Sequence, residues 1–192
     1  MIMKSLTKIA VIVKSPFYLP HIIAYFFSNN KTIINEDIEA NNIHWRSGST
    51  NNTFTLLFLL QKNIYFRNLF YCRIGSISKL FKWYTKGEPT FQLINCMEGG
   101  VYVAHPFATV INAKHIGKNF SCHQCTTIGN KSDFLGDECP TIGDNVVVGA
   151  NCCIIGNISI GDNVVIGAGT VVVKDIPSNS IVVGNPAHPI QK

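Results

Sequence analysis

The chain has 192 residues, of which 46% are hydrophobic and 14% charged, with a formal net charge of +5 at pH 7. That length holds one globular domain, or a small helical part followed by a solenoid of several coils. No Lys/Arg run or aromatic-interleaved basic motif accompanies the charge, so it argues for no nucleic-acid partner; anionic phosphates of a small ligand account for it, and membrane contact by the basic early segment is left open.

In chain order, the first stretch, 1–27, is apolar but broken by Lys4, Lys8, Lys14, Pro16 and Pro20. It therefore offers no uninterrupted run of the ~20 residues a membrane span needs, and no secretory signal of the usual form. Apolar residues at helical spacing predict helices over 20–27, 33–43, 53–60 and 65–83, with Asn35, Asp37 and Ser49 as caps. Lys86-Gly87-Glu88-Pro89 ends this part, which sets an α-helical N-terminal subdomain at 1–87 and a second domain at 88–192.

The second domain repeats every six residues. Ile142, Val148, Ile154, Ile160, Ile166 and Val172 recur at that interval, and Val146, Cys152, Ile158, Val164 and Thr170 form a second inward series. A helix repeats at about 3.6 residues and a strand at 2, so a hexad marks a parallel β-helix in which each hexad supplies one side of a coil. Between them stand Gly-Asp-Asn, Gly-Ala-Asn and Gly-Ala-Gly, suited to the left-handed angles of tight corners. Counted backwards, the phase predicts Ala104, Val110, Ile116, Cys122 and Ile128 as inward. From Ile128 to Ile142 it pauses for a polar loop excursion over 130–141, the kind of insertion that carries binding residues.

Seven cysteines, an odd number, with no secretory signal, predict a reducing cytoplasm. Cys122 and Cys125 form a CxxC, but Cys122 and Cys152 fall on inward positions and read as small core residues; no metal is expected. His105 and His123 each follow an inward residue and lie three hexads apart, which predicts two rings stacked on one outward face.

The stretches Gly100-Val101-Tyr102-Val103-Ala104-His105, Ile116-Gly117-Lys118-Asn119 and His123-Gln124-Cys125-Thr126-Thr127-Ile128-Gly129 resemble the serine O-acetyltransferase family of hexapeptide-repeat acyltransferases. So does the ending from Ile166-Gly167-Ala168-Gly169 through Gly184-Asn185-Pro186-Ala187. The resemblance implies a left-handed β-helix, a homotrimer with sites between neighbouring subunits, and acetyl-CoA as co-substrate. It also implies His105 as the general base that takes the acceptor's hydroxyl proton, with His123 as a secondary contact. Gly149, Ala150, Gly167 and Ala168 would form a strip against which pantetheine lies, and Lys174 would face phosphate.

Two departures bear on the acceptor. The family's aspartates that orient and precede the histidine have no counterpart: Ala104 precedes His105, and no Asp occurs between Asp37 and Asp133, which leaves Glu98, Glu88 or Asn95 to orient the ring. The loop Gly136-Asp137-Glu138-Cys139-Pro140 resembles the family's loop, yet Glu138-Cys139 replaces the Arg-His that grips the serine carboxylate, and Glu138 would repel one. The expected acceptor is L-serine by resemblance, or a sugar hydroxyl of a capsular or surface polysaccharide. Remoter alternatives are a γ-type carbonic anhydrase built on His105, His115 and His123, and a non-catalytic solenoid module.

Overall fold

The computed structural model describes residues 2–94, 97–131 and 138–190. The chain divides into two units, Met1–Glu88 and Pro89–Lys192.

The first unit is helical: α1 (Ile2–Lys14), a 3-10 turn at Ser15–Tyr18, α2 (Leu19–Phe26), α3 (Lys31–Trp45), α4 (Asn52–Lys62) and α5 (Ile64–Ile74). Pro16 and Pro20 do not break the early segment. Each falls in the first turn of a helical piece, where the missing N–H is not needed, and Leu6–Phe26 becomes a helical run of 21 residues, long and apolar enough to cross a membrane. The expectation of no such stretch is corrected accordingly.

The caps also differ. Asn51 Oδ1 accepts from the Phe54 N–H at the start of α4, and Asn63 Oδ1 accepts from both Tyr65 and Phe66 at the start of α5. Asn35 and Asp37 lie inside α3 instead. There Asn35 accepts from the Tyr25 hydroxyl, and Asp37 pairs with Arg73, Nε to Oδ2 at 2.8 Å, with both side chains buried. Ser49 lies before α4, its hydroxyl accepting from the Asn51 N–H. The last predicted helix ends early because Gly75 caps α5 with φ +60°, and a 3-10 segment, Gly75–Leu80, follows. Ile34, Ile38, Leu56, Leu59, Leu60 and Phe70 fill the core.

The second unit is a left-handed parallel β-helix of three sheets. One face stacks Phe91–Ile94, Thr109–Asn112, Thr127–Gly129, Cys153–Ile155 and Val171–Val172. The next stacks His115–Ile116, Thr141–Ile142 and Ser159–Ile160. The third stacks Tyr102–Ala104, Ser121–His123, Val147–Val148, Val165–Ile166 and Ile181–Val183, and closes on an antiparallel strand, His188–Pro189, that covers the last edge. The hexad series from Ile142 to Val172 is buried throughout, as are Val146, Cys152, Val164 and Thr170; Ile158 is half-buried. Thr170 is satisfied inside by donating to the Gly167 carbonyl at 2.6 Å.

Complete coils put residue i over i+18, as in Thr141 with Ser159 and Val147 with Val165. Across the excursion the partners become Ser121 and Val147, eight residues further apart. The corners stack as predicted from their chemistry: Asn119, Asn145, Asn163 and Asn179 all take φ between +56° and +62°. Their amides form a ladder, each Nδ2 donating to the next Oδ1 at 2.9–3.1 Å.

The early coils break the predicted phase. Val103 pairs with Cys122 and Ile111 with Ile128, so Val103 and Ile111 point inward, while Val110 is only half-buried. The cause is the corner His105-Pro106-Phe107-Ala108. His105 and Ala108 adopt φ +49° and +47°, and the corner adds two residues, so that Val103 to Ile111 takes eight positions where their partners Cys122 and Ile128 are six apart.

Candidate active site

The edge between the third face and the first carries the candidate residues one above another. His105–Ala108, Gln124–Thr126, Gly149–Cys152 and Gly167–Thr170 form its successive corners. They are tied by Cys125 N–H to the Phe107 carbonyl (2.9 Å), Asn151 N–H to that of Gln124 (3.0 Å) and Gly169 N–H to that of Ala150 (2.8 Å). This single edge therefore brings together His105, His123, Gly149, Ala150, Gly167 and Ala168.

Both histidines are exposed at the top of the edge. They are not stacked directly, because Ala104 is the register partner of His123 and His105 lies one residue beyond the strand. The predicted offset of three hexads is thus corrected to one residue more. Lower down, the strip of small residues is as tight as expected. A Cβ on Gly149 would lie 2.5 Å from the Ala168 nitrogen, and one on Gly167 2.7 Å from Val183 Cγ1.

Glu98 occupies a different corner. Its N–H donates to the Ile116 carbonyl at 2.9 Å, and the strand Tyr102–Ala104 separates it from His105 along the chain. Glu88 belongs to the helical unit, and Asn95 lies outside the described residues. Lys174 and the described ends of the excursion, 130–131 and 138–141, share a third location, the edge between the first and second faces. Lys174 is exposed beside Asp175, whose Oδ1 accepts from the Ser159 N–H at 2.8 Å. Glu138 is half-buried and Cys139 buried where the loop rejoins, anchored by Lys114 N–H to the Pro140 carbonyl at 2.8 Å; Asp137 lies outside the described residues.

The thiols suit packing. Burial pushes the Cys122 thiol up to about 12, and Cys152 is raised by the same cause, so neither is a nucleophile near neutrality. His115 sits on the second face, away from the edge that holds His105 and His123, and among the described residues no three His, Cys, Asp or Glu are grouped to hold a metal ion. One element of the edge escaped the sequence reading. Phe107, 57% exposed, stands in the His105 corner, and that corner contains neither Gly nor Asn to signal its left-handed residues.

Residues 139–174 match the family of bacterial transferase hexapeptide repeats. The chain is 45% identical over 89 residues to the mitochondrial serine acetyltransferase 3 of Arabidopsis thaliana, covering 46% of this chain and 23% of that protein. It is 49% identical over 88 residues to the serine acetyltransferase of Synechocystis, covering 45% of this chain and 35% of the relative. The matched region thus spans well under half of either relative. Among solved structures, the serine acetyltransferase of Neisseria gonorrhoeae superposes with a TM-score of 0.64 at 28% identity, covering 84% of this chain and 66% of that one. The soybean enzyme complexed with serine gives 0.58 at 26% identity, covering 83% and 69%. Through its repeat domain, the chain is thus similar to serine acetyltransferases, and residues 139–174 carry the bacterial transferase hexapeptide repeat.

Proposed function

We propose that the protein transfers an acetyl group from acetyl-CoA to an acceptor hydroxyl, in the manner of a serine O-acetyltransferase. The observation that carries this reading is the shared edge: an exposed histidine pair continues into a strip of small residues against which a pantetheine arm can lie. His105 takes the proton from the acceptor hydroxyl as its oxygen attacks the thioester carbonyl. The tetrahedral intermediate collapses, the C–S bond breaks, and the CoA thiolate leaves with the proton returned by the imidazolium. His123, offset by one residue, contacts the acceptor or the acyl group.

A homotrimer gives the loop its part in this reading. In one chain Glu138, Cys139 and Lys174 occupy an edge separate from His105. Packing of neighbouring solenoids would bring the loop edge of one subunit against the histidine edge of the next, with Lys174 toward CoA phosphate. The proposed location is the cytoplasm.

The acceptor divides into two readings. Similarity to serine acetyltransferases favours L-serine, whereas Glu138 favours an uncharged hydroxyl such as that of a polysaccharide sugar, since a carboxylate beside it is repelled. Thiol release from acetyl-CoA is measured with serine and with neutral glycans, for the native protein and His105→Ala. The expected result is acceptor-dependent release that His105→Ala abolishes without change in solution mass. Undiminished turnover in that variant would sink the mechanism, and efficient release with serine at submillimolar concentration would remove the sugar reading.

A further inference from the structure

The outer side of the first helical run is apolar. From α1 through α2, Val11, Tyr18, His21, Ala24 and Tyr25 recur at helical spacing and are buried. The opposite stripe, Leu6, Ile9, Val13, Phe17, Ile23 and Phe27, is between 50% and 82% exposed. A helix facing water carries polar residues there, and a contiguous apolar stripe of this length marks a contact surface.

The run is held in a way that suits lying on a surface and not crossing one. Gln61 Nε2 donates to the Val11 carbonyl at 3.0 Å, and His21 Nε2 shares hydrogen bonds with the Tyr71 and Thr85 hydroxyls at 3.1 and 2.9 Å. Insertion across a bilayer would strip away these partners. Docking of the outer stripe alone keeps every one of them.

Charge selects the occupant. Residues 1–88 contain eleven Lys and Arg against four Asp and Glu, whereas 89–192 contain five against seven. The positive balance of the whole chain therefore originates in the helical unit. Lys8 and Lys14 flank the apolar stripe, and Lys79 and Lys82 accompany a second exposed apolar pair, Leu80 and Trp83. A second copy would set like charge against like charge, while anionic headgroups complement it. We propose that the exposed face of residues 6–27 docks, in the interfacial plane, on a lipid surface bearing anionic headgroups.

The full-length protein is sedimented with vesicles of phosphatidylcholine alone and of phosphatidylcholine and phosphatidylglycerol in equal parts. The expected outcome is binding at least about tenfold stronger to the anionic vesicles, released by high salt. The combined variant Ile9→Gln, Val13→Gln, Phe17→Gln should lose binding with an unchanged thermal melt. Lys14→Glu, which leaves the apolar stripe intact, should weaken it by about fivefold or more. Protein that stays in the supernatant with both vesicle types overturns the proposal, as does equal binding to both. A triple variant whose solution mass falls below that of the native protein also overturns it, by assigning the face to a second copy of the chain.

Discussion

His105 lies one residue beyond the register partner of His123, because Ala104 pairs with His123 and the strand ends there. The two rings share an edge without sharing a level, and the left-handed φ of +49° at His105 turns its corner away from the strand. On the proposed reading, an acceptor bound at this edge would meet the two histidines from different heights and give them unequal roles.

His105→Ala should therefore lower kcat by about 10²–10⁴, the usual worth of a positioned base, while His123→Ala acts mainly on KM. Steady-state kinetics of both variants with the same acceptor check this. Equal kcat losses would contradict the division of labour.

Glu138→Arg combined with Cys139→His should lower the KM for serine and leave the KM for acetyl-CoA unchanged. The arginine replaces a charge that repels a carboxylate with one that binds it bidentately. A competition assay between serine and a neutral glycan reads the shift.

Gly149→Ala should destabilise the solenoid by about 1–3 kcal/mol and weaken CoA binding, since the new Cβ would lie 2.5 Å from a backbone nitrogen that cannot move alone. Gly129→Ala is the control. Nothing lies within 4 Å of its Cβ, and its stability should stay within about 0.5 kcal/mol of the native protein. Urea unfolding and CoA-dependent melting separate the two.

Asp37→Leu or Arg73→Leu alone should cost about 3–5 kcal/mol, because each leaves its partner's charge buried without compensation. The double variant should cost less than either single change. Equilibrium unfolding of the three variants gives the coupling.

The His21 ring makes the helical unit sensitive to acid. Burial, and then the Arg67 charge, lower its pKa to about 4 from an ordinary 6.5, and its Nδ1 is enclosed without a partner among the described residues. Between those values the unfolded chain binds the proton and the folded one does not. Stability is therefore flat above about pH 6.5 and falls as the pH drops toward 4, by roughly 3 kcal/mol at most. Urea midpoints at pH 7, 5.5 and 4 should show this slope in the native protein and lose it in His21→Gln.

The later coils could be read from sequence because each hexad is a local rule repeated: Ile142 to Val172 face inward by period alone, and Asn145 and Asn163 turn corners because Asn tolerates left-handed angles. The early coils could not. His105 and Ala108 adopt such angles only because the strands on either side are held in register by their neighbours, and a corner two residues longer than its counterpart below set Val103, beside the equally buried Ala104, over Cys122 and moved the next inward position from Val110 to Ile111. The helical caps failed for a related reason, since Asp37 resembles a capping residue until Arg73, 36 positions away, is folded against it.

Sequence by itself determined the solenoid, its corner chemistry and the strip of small residues along one edge, all of which depend on contacts repeated at fixed spacing. Only the tertiary structure decided that His105 and His123 are offset, that Glu98 stands at another corner, and that the prolines leave the first helical run continuous. Each of these is set by how distant segments meet, through a strand register, a stacked edge or a helix start, and no local pattern records it.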